Sequence, residues 1–198
     1  MQILGFGANP NPNPPGPTPL QVSTSVRLNP ADTPNLSFIP TLTGNTQTLT
    51  FSAWVKRSLL SSQQILFGAN TDTNNHVFLE FQANDTIRIA SNTAASTVIQ
   101  LITTQVFRDP SQWYHLVLAF DLTNSTQADR VKFYINGSRV TAFTTSTLPA
   151  NTTTFTTFNT AGVQQYIGRS ARQGLAQPMA HVHAHDLPGA HVGGSIRF

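Results

Sequence analysis

The chain carries few side chains able to perform acid–base or nucleophilic chemistry. Its single glutamate, Glu80, lies in the stretch HVFLEFQAND, which has no second carboxylate on the same face before Asp85. Retaining cleavage of a sugar chain needs two carboxylates roughly 5 to 5.5 Å apart, one as nucleophile and one as acid. There is no G-x-S-x-G motif for a nucleophilic serine and no cysteine for thiol chemistry. We therefore predict that the protein is not an enzyme and has no catalytic residues.

Histidines at alternate positions are the side chains best placed to bind a metal. His181, His183 and His185 fall on one face of a predicted strand and would offer imidazole ligands to zinc. Alternation also puts polar residues on any solvent-facing strand, and a zinc site usually needs a ligand from a second element. We predict no metal cofactor, and these three histidines are the candidates if zinc binds.

The composition describes a polar but weakly charged surface. Charged residues make up 10 % of the 198 residues, against roughly 25 % in a typical soluble protein. The net charge is +3, and the basic residues are scattered singly apart from Lys56-Arg57, so we expect no nucleic-acid partner. No apolar stretch approaches the length of a membrane-spanning helix, and the first residues, MQILGFG, lack the basic start of a secretory signal.

Short runs of alternating apolar and polar residues fill most of the chain. In residues 48–56 the apolar face holds Leu49, Phe51, Ala53 and Val55, and the other face holds Thr50, Ser52 and Trp54. Strands are predicted at 21–28, 48–56, 64–69, 76–82, 86–91, 97–102, 113–120, 130–136, 139–143, 164–168 and 179–185. Asn136-Gly137 predicts a type I′ hairpin. Without crossover helices, this pattern predicts an all-β fold, an antiparallel two-sheet jelly-roll sandwich.

Three consecutive residues, Trp113, Tyr114 and His115, are typical of a surface on which a sugar stacks. Alternation divides them, because Trp113 and His115 fall on one face of the strand while Tyr114 joins the apolar face. We therefore expect one set to pack in the core. Residues 108–110, Arg-Asp-Pro, predict a turn that leads into this strand.

The N-terminal segment differs in composition from the rest. Residues 8–19 read ANPNPNPPGPTP, and repeated proline favours an extended chain without a core of its own. We predict an arm at 1–19 and a jelly-roll domain at 20–198. Ile3, Leu4 and Phe6 precede the proline-rich spacer and are predicted to be the anchoring residues of the arm.

Four stretches, in this order, resemble the laminin-G-like, concanavalin A-type jelly-roll domain found in virion proteins of tailed phages and prophages. They are residues 44–58 with WVKRS, 103–121 with RDPSQWYH, 129–140 with DRVKFYINGSRV and 166–170 with YIGRS. The likeness extends over residues 24–187. In its last strand, MAHVHAHD, the matching residues are Met179, Ala180, Val182, His183 and Asp186, whereas His181 and His185 depart from the family pattern.

The resemblance also bears on catalysis and metal binding. The jelly-roll glycoside hydrolases it extends to carry a Glu-x-Asp-x-x-Glu pattern on one strand, which this chain lacks. Laminin-G-type folds often hold calcium at a rim loop, and the loop at 71–76 offers Asp72. One carboxylate makes a poor calcium cage, so calcium is not expected as a cofactor.

In function, the resemblance implies a non-enzymatic structural protein on the surface of a phage virion, of the head-decoration or head-fibre type. Its arm would attach it to capsid or tail proteins. The alternative is a carbohydrate-binding adhesion module of a phage tail or fibre, which would bind host-surface or environmental glycans. A homotrimer is expected by analogy with other virion appendages.

Overall fold

The computed structural model describes residues 26–27, 36–169, 181–183 and 195–197, and it describes side chains for 36–169. This part of the chain forms fourteen strands in two seven-stranded sheets, with one short 3-10 helix at Gln127–Asp129. Among these residues no helix has the length and apolar character needed to cross a membrane. The predicted all-β class is therefore confirmed.

The strands follow the alternating segments of the sequence. In chain order they are β1 (Val26–Arg27), β2 (Leu36–Phe38), β3 (Thr48–Lys56), β4 (Gln64–Asn70), β5 (His76–Phe81), β6 (Thr86–Thr93), β7 (Ser96–Val106), β8 (Trp113–Asp121), β9 (Val131–Ile135), β10 (Ser138–Arg139), β11 (Phe143–Thr147), β12 (Gln165–Ile167), β13 (His181–His183) and β14 (Ser195–Arg197). Sheet A has the order β1-β13-β3-β8-β9-β10, and β14 also pairs with β3. Sheet B has the order β11-β7-β6-β5-β4-β12-β2. The two-sheet jelly-roll prediction is confirmed.

The core lies between the sheets and is built from every second residue of the long strands. On β3 and β8 buried residues alternate with half-buried ones along the whole strand, as predicted for strands with one solvent-facing side. Phe51 of sheet A and Phe67 of sheet B meet across the interior with ring centroids 5.8 Å apart. Tyr114 is 4 % exposed and belongs to this core, so the predicted division of residues 113–115 is confirmed.

Where the chain changes sheets, the strand prediction is wrong. Residues 139–143 were predicted as one strand, but β10 pairs with β9 in sheet A and β11 pairs with β7 in sheet B. Alternation reports which face of a strand is buried, and it carries no information about which sheet the strand joins. The short edge strand β2 and the terminal β14, which runs parallel to β3, were also not predicted.

A buried ion pair ties together three loops at one end of the sandwich. Arg57, just after β3, is 2 % exposed and donates to Oδ1 of Asp85 at 2.8 Å and to the carbonyl oxygen of Phe107 at 2.7 Å. Oδ1 of Asp85 also accepts the backbone N–H of Ser61 at 2.8 Å, and its Oδ2 accepts Nε of Arg108 at 3.1 Å. We call the buried Arg57 and Asp85, together with the exposed Arg108 at their rim, the buried ion cluster.

Opposing effects act on the pKa of Asp85. Burial raises the pKa, but the hydrogen bonds from Ser61, Arg57 and Arg108, together with the charge of Arg57, hold it below its ordinary value. Asp85 therefore stays ionised inside the fold.

The predicted turn before β8 lies beside this cluster, where Asp109 accepts the backbone N–H of Ser111 at 2.8 Å.

The turn between β9 and β10 has the geometry that its sequence predicts. Ser138 is paired with Ile135, so Asn136 and Gly137 form a two-residue loop. Their φ angles are +51° and +82°, both in the left-handed region that a type I′ turn requires. The type I′ prediction is confirmed.

Replacing Gly137 with valine should destabilise the domain by about 1–3 kcal/mol, because a β-branched residue is strained at positive φ. A Cβ at this position would meet no heavy atom within 4 Å, so backbone strain alone causes the loss. Gly137→Asn is the matched control, since asparagine tolerates the left-handed region. Urea denaturation should show a large loss for valine and a small one for asparagine, and equal losses would contradict this assignment.

Candidate functional site

Both tryptophans of the chain lie on the outer face of sheet A. Trp54 of β3 and Trp113 of β8 are half-buried and alternate with residues that point into the core. In the strand register Trp54 is opposite His115, and Lys56 is opposite Trp113. We call Trp54, Trp113 and His115 the aromatic face.

Two rings of the aromatic face contact each other, and polar groups lie beside the face. The indole of Trp54 and the imidazole of His115 are stacked, with centroids 4.9 Å apart and planes inclined by 20°. Oγ of Ser52 lies 3.2 Å from Nε2 of His115, within hydrogen-bonding distance. Nζ of Lys56 lies 6.0 Å from the centre of the Trp113 ring, at the outer limit of a cation–π contact.

The β9–β10 turn holds the backbone of His115 in place. The N–H of His115 donates to Oδ1 of Asn136 at 2.8 Å, and the N–H of Asn136 donates to the carbonyl oxygen of His115 at 2.8 Å. The turn therefore fixes the end of the aromatic face as well as the hairpin.

A more polar row borders the aromatic face on its β9 side. Tyr134 of β9 is opposite Val117 of β8 and Arg139 of β10. Arg139 in turn donates to Oδ1 of Asp129 at 2.9 Å. The outer face of sheet A thus combines half-buried aromatic rings with hydroxyl, imidazole, amine and guanidinium groups. Aromatic side chains with a few fixed polar groups are typical of surfaces that bind small polar ligands.

The two carboxylates considered for sugar cleavage belong to separate ion pairs. Glu80 is fully buried, and its Oε1 accepts Nε of Arg88 at 2.7 Å while its Oε2 accepts Nε2 of Gln63 at 2.5 Å. Asp85 belongs to the buried ion cluster. Both carboxylates are therefore held by cations and amides of their own surroundings.

In the loop between β4 and β5, the carboxylate of Asp72 accepts hydrogen bonds from neighbouring residues of the same loop. Oδ1 of Asp72 accepts the backbone N–H groups of Asn74 at 2.7 Å and Asn75 at 2.9 Å, and Oδ2 accepts Nδ2 of Asn75 at 3.0 Å. The side-chain hydrogen bond from Asn75, followed by the backbone bond from Asn74, lowers the pKa of Asp72. In the part of the chain with described side chains, no three His, Cys, Asp or Glu residues cluster as metal ligands.

Other predicted site residues lie wholly or partly outside the described part. The backbone of β13 places His181 opposite Lys56 and His183 opposite Trp54, so these two histidines share register rows with the aromatic face. His185 and the predicted anchoring residues Ile3, Leu4 and Phe6 lie outside the described residues.

Sequence reasoning identified two of the three residues of the aromatic face. Trp113 and His115 were considered together, whereas Trp54 was only assigned to the solvent-facing side of its strand. The signal was present in the alternation of both strands, but the register that sets Trp54 beside His115 is a long-range property.

The sequence matches one family model over residues 29–180, that of the laminin G-type family described as the concanavalin A-like lectin/glucanases superfamily. No curated protein sequence shows a significant match.

Solved structures with the same fold come from diverse sources. Domain 4 of AbnA, an extracellular arabinanase from Geobacillus stearothermophilus solved in complex with arabinotriose, is 18 % identical with a TM-score of 0.53, over 81 % of this chain and 70 % of that one. A native heptameric SAP-like pentraxin from Limulus polyphemus is 18 % identical with a TM-score of 0.50, over 76 % of this chain and 67 % of that one. At such identities the likeness establishes the fold alone.

Proposed function

The chain belongs to the laminin G-type family of the concanavalin A-like lectin/glucanases superfamily, and from this premise we propose that it is a non-catalytic carbohydrate-binding domain. The aromatic face of sheet A is its binding surface. The observation that carries the proposal is the placement of both tryptophans, half-buried, on one outer face beside a stacked histidine. Aromatic rings bury a large apolar area at a small entropic cost, and the C–H groups of a sugar ring stack on them.

The polar groups around the rings supply the directional part of recognition. Three polar groups lie within or next to the aromatic face. They are the hydroxyl of Ser52, the imidazole of His115 and the amine of Lys56. Hydrogen bonds from such groups to sugar hydroxyls fix the orientation of a ligand whose stacking alone has little directionality. Because the face is part of a sheet surface, we expect weak binding by single domains and stronger binding by several linked copies.

A glycan array probed with the fluorescently labelled protein tests the proposal. We expect saturable binding to a restricted set of oligosaccharides, and the array should include arabino-oligosaccharides because the AbnA domain was solved with arabinotriose. The array should be repeated with the Trp54→Ala chain as a matched negative control, which should bind more weakly. Uniform absence of signal from the wild-type chain would overturn the proposal.

We propose a second, compatible role as a protein displayed on the surface of a phage virion, with capsid or tail proteins as partners. The feature that favours it is that the four stretches resembling phage virion domains occur in the same order here, behind a proline-rich arm. In this role residues 1–19 attach the domain and the jelly roll faces outward. The attachment site, the virion location and the homotrimer are predictions from the sequence.

Deleting residues 1–19 should abolish incorporation into particles and leave the far-ultraviolet circular dichroism spectrum unchanged. The physical reason is that the arm contributes apolar side chains for attachment, whereas the described core is formed by residues from Leu49 onward. A full-length chain with Ile3, Leu4 and Phe6 replaced by serine is the matched control for arm length and should behave like the deletion. Normal occupancy of either variant on virions would show that the anchor is elsewhere.

A further inference from the structure

Exposed apolar side chains are concentrated in one short segment of the described chain. Four of the seven exposed large apolar residues in this part of the chain lie between residues 36 and 42. They are Leu36 at 40 %, Phe38 at 42 %, Ile39 at 55 % and Leu42 at 81 %. Scattered exposed apolar residues are normal, whereas a contiguous group indicates an interaction surface.

This segment includes β2, which forms an edge of sheet B. β2 pairs with β12, and among the described strands none lies on its other side. The opposite edge of the sheet, β11, carries three threonines and a serine after Phe143. An edge strand offers unpaired backbone groups to another extended segment, and here apolar side chains accompany them.

A cavity of about 120 Å³ opens beside the edge strand. Its lining residues are Leu36, Ser37, Phe38, Phe67, Tyr166 and Ile167. Phe67 and Ile167 belong to the buried core, so the cavity leads from the exposed edge towards the interior. A segment that pairs with β2 and carries an apolar side chain at alternate positions would fill this cavity.

The same chain contains a segment with those properties. The first seven residues, MQILGFG, carry Ile3, Leu4 and Phe6 and no charged side chain, and the segment 36–42 is also free of charged side chains. Bringing the two together therefore removes no charged side chain from water. We propose that residues Ile3–Phe6 of one copy add as a strand to β2 of a second copy and place an apolar side chain in the cavity.

The proline-rich spacer favours a neighbouring copy over the chain's own edge strand. Residues 8–19 favour an extended polyproline conformation, which spans about 40 Å at roughly 3.1 Å per residue. A compact domain of about 180 residues has a radius of gyration of about 16 Å, which corresponds to a diameter of roughly 40 Å. The spacer is therefore about as long as the domain is wide. A stiff spacer of this length folds back poorly onto its own domain, which favours docking on a neighbouring copy.

An arm that docks on the next copy makes a heterologous, head-to-tail contact. Such contacts produce a ring when the rotation closes, and they produce filaments when it does not. This assembly is independent of the aromatic face and goes beyond the proposed glycan binding. It also uses the arm residues assigned to virion attachment, so attachment would have to involve the assembled oligomer.

Cross-linking between two single-cysteine chains tests the contact, because the natural chain has no cysteine. Gly7→Cys marks the arm and Ile39→Cys marks the edge strand, and both substitutions keep Ile3, Phe6, Leu36 and Phe38. A short bis-maleimide reagent bridges small offsets in register. Mass spectrometry of an equimolar mixture should show the mixed dimer at least about tenfold above that formed between Gly7→Cys and Leu59→Cys, a control at a similarly exposed leucine.

Two further chains establish specificity. Adding Phe38→Glu to the Ile39→Cys chain, or Phe6→Glu to the Gly7→Cys chain, should reduce the mixed dimer to the level of the control, with unchanged circular dichroism. A double Gly7→Cys, Ile39→Cys chain that cross-links only within itself at the concentration used for the mixture would overturn the proposal in favour of the chain's own arm. A mixed-dimer yield equal to the Leu59→Cys control would also overturn it.

Discussion

Replacing Asp85 with asparagine is expected to destabilise the domain by about 3–5 kcal/mol, because it leaves Arg57 buried without its counter-ion. Arg57 is 2 % exposed, and its remaining partners are the carbonyl oxygens of Phe107 and Ser62 and the side chain of Gln64. Asparagine preserves the shape of the side chain and tolerates the φ of +68° found at this position. Urea denaturation followed by tryptophan fluorescence measures the difference.

Asp129 provides a matched control, since it also contacts two cations. Its Oδ1 lies 2.9 Å from Arg139 and 4.0 Å from Lys132, but its side chain is 34 % exposed. Exposed ion pairs contribute at most about 1 kcal/mol, so Asp129→Asn should have little effect. A loss below about 1 kcal/mol for Asp85→Asn, or equal losses for both variants, would contradict the structural role assigned to the buried ion cluster.

The same residue predicts a dependence of stability on pH. Because the folded-state pKa of Asp85 is lowered from its ordinary value of 3.8, its ionised form contributes stability above that pH. This contribution is lost as the pH falls through the lower, folded-state pKa. The difference in unfolding free energy between the wild-type and Asp85→Asn chains should therefore be constant near neutral pH and shrink below about pH 4. A constant difference down to pH 2 would contradict this prediction.

The sequence predicts the sheets well because a strand with one buried face shows a local alternation of apolar and polar residues. The long strands β3 and β8 were predicted almost to the residue, and the Asn136-Gly137 turn was predicted with its type. The three-residue edge strand β2 is too short to show a period. The parallel pairing of β14 depends on contacts distant in sequence, which local patterning does not contain.

The candidate site was only partly predictable for a related reason. Alternation assigns Trp54 and His115 separately to solvent-facing sides of their strands, but only the register of β3 with β8 makes them neighbours. In the sequence Asp85 was noted as the next carboxylate after Glu80, and its burial beside Arg57 follows from three loops that meet in space. Contacts of this kind depend on the three-dimensional fold. The residues could therefore be identified from the sequence, but their contact partners could not.

Replacing Trp54 with alanine is expected to weaken glycan binding roughly 30-fold, which corresponds to about 2 kcal/mol, the loss typical of a central aromatic residue. Its indole forms the stacked pair with His115, so its removal takes away one ring and the stacking contact of the other. Trp54→Phe should lose less because it retains a ring. Isothermal titration with an oligosaccharide identified on the array measures the change.

Val106→Ala is the control for loss of an exposed apolar side chain outside the aromatic face. Val106 is 42 % exposed and lies at the end of β7 in sheet B, so its truncation should leave the affinity unchanged. The midpoint of urea denaturation should be nearly the same for each variant as for the wild-type chain, which shows that the variants remain folded. Equal affinities of the wild-type and Trp54→Ala chains would place the glycan site on another surface.

The most direct test of the binding surface uses the indole N–H signals of the two tryptophans in a ¹H–¹⁵N correlation spectrum. Since Trp54 and Trp113 are the only tryptophans and both lie on the outer face of sheet A, these two signals report on that face alone. Titration with the bound oligosaccharide should shift the Trp54 signal, assigned from the Trp54→Phe spectrum, with the same saturation curve as the calorimetric binding. Saturable binding that leaves both indole signals unmoved would contradict the assignment of the glycan site to the aromatic face.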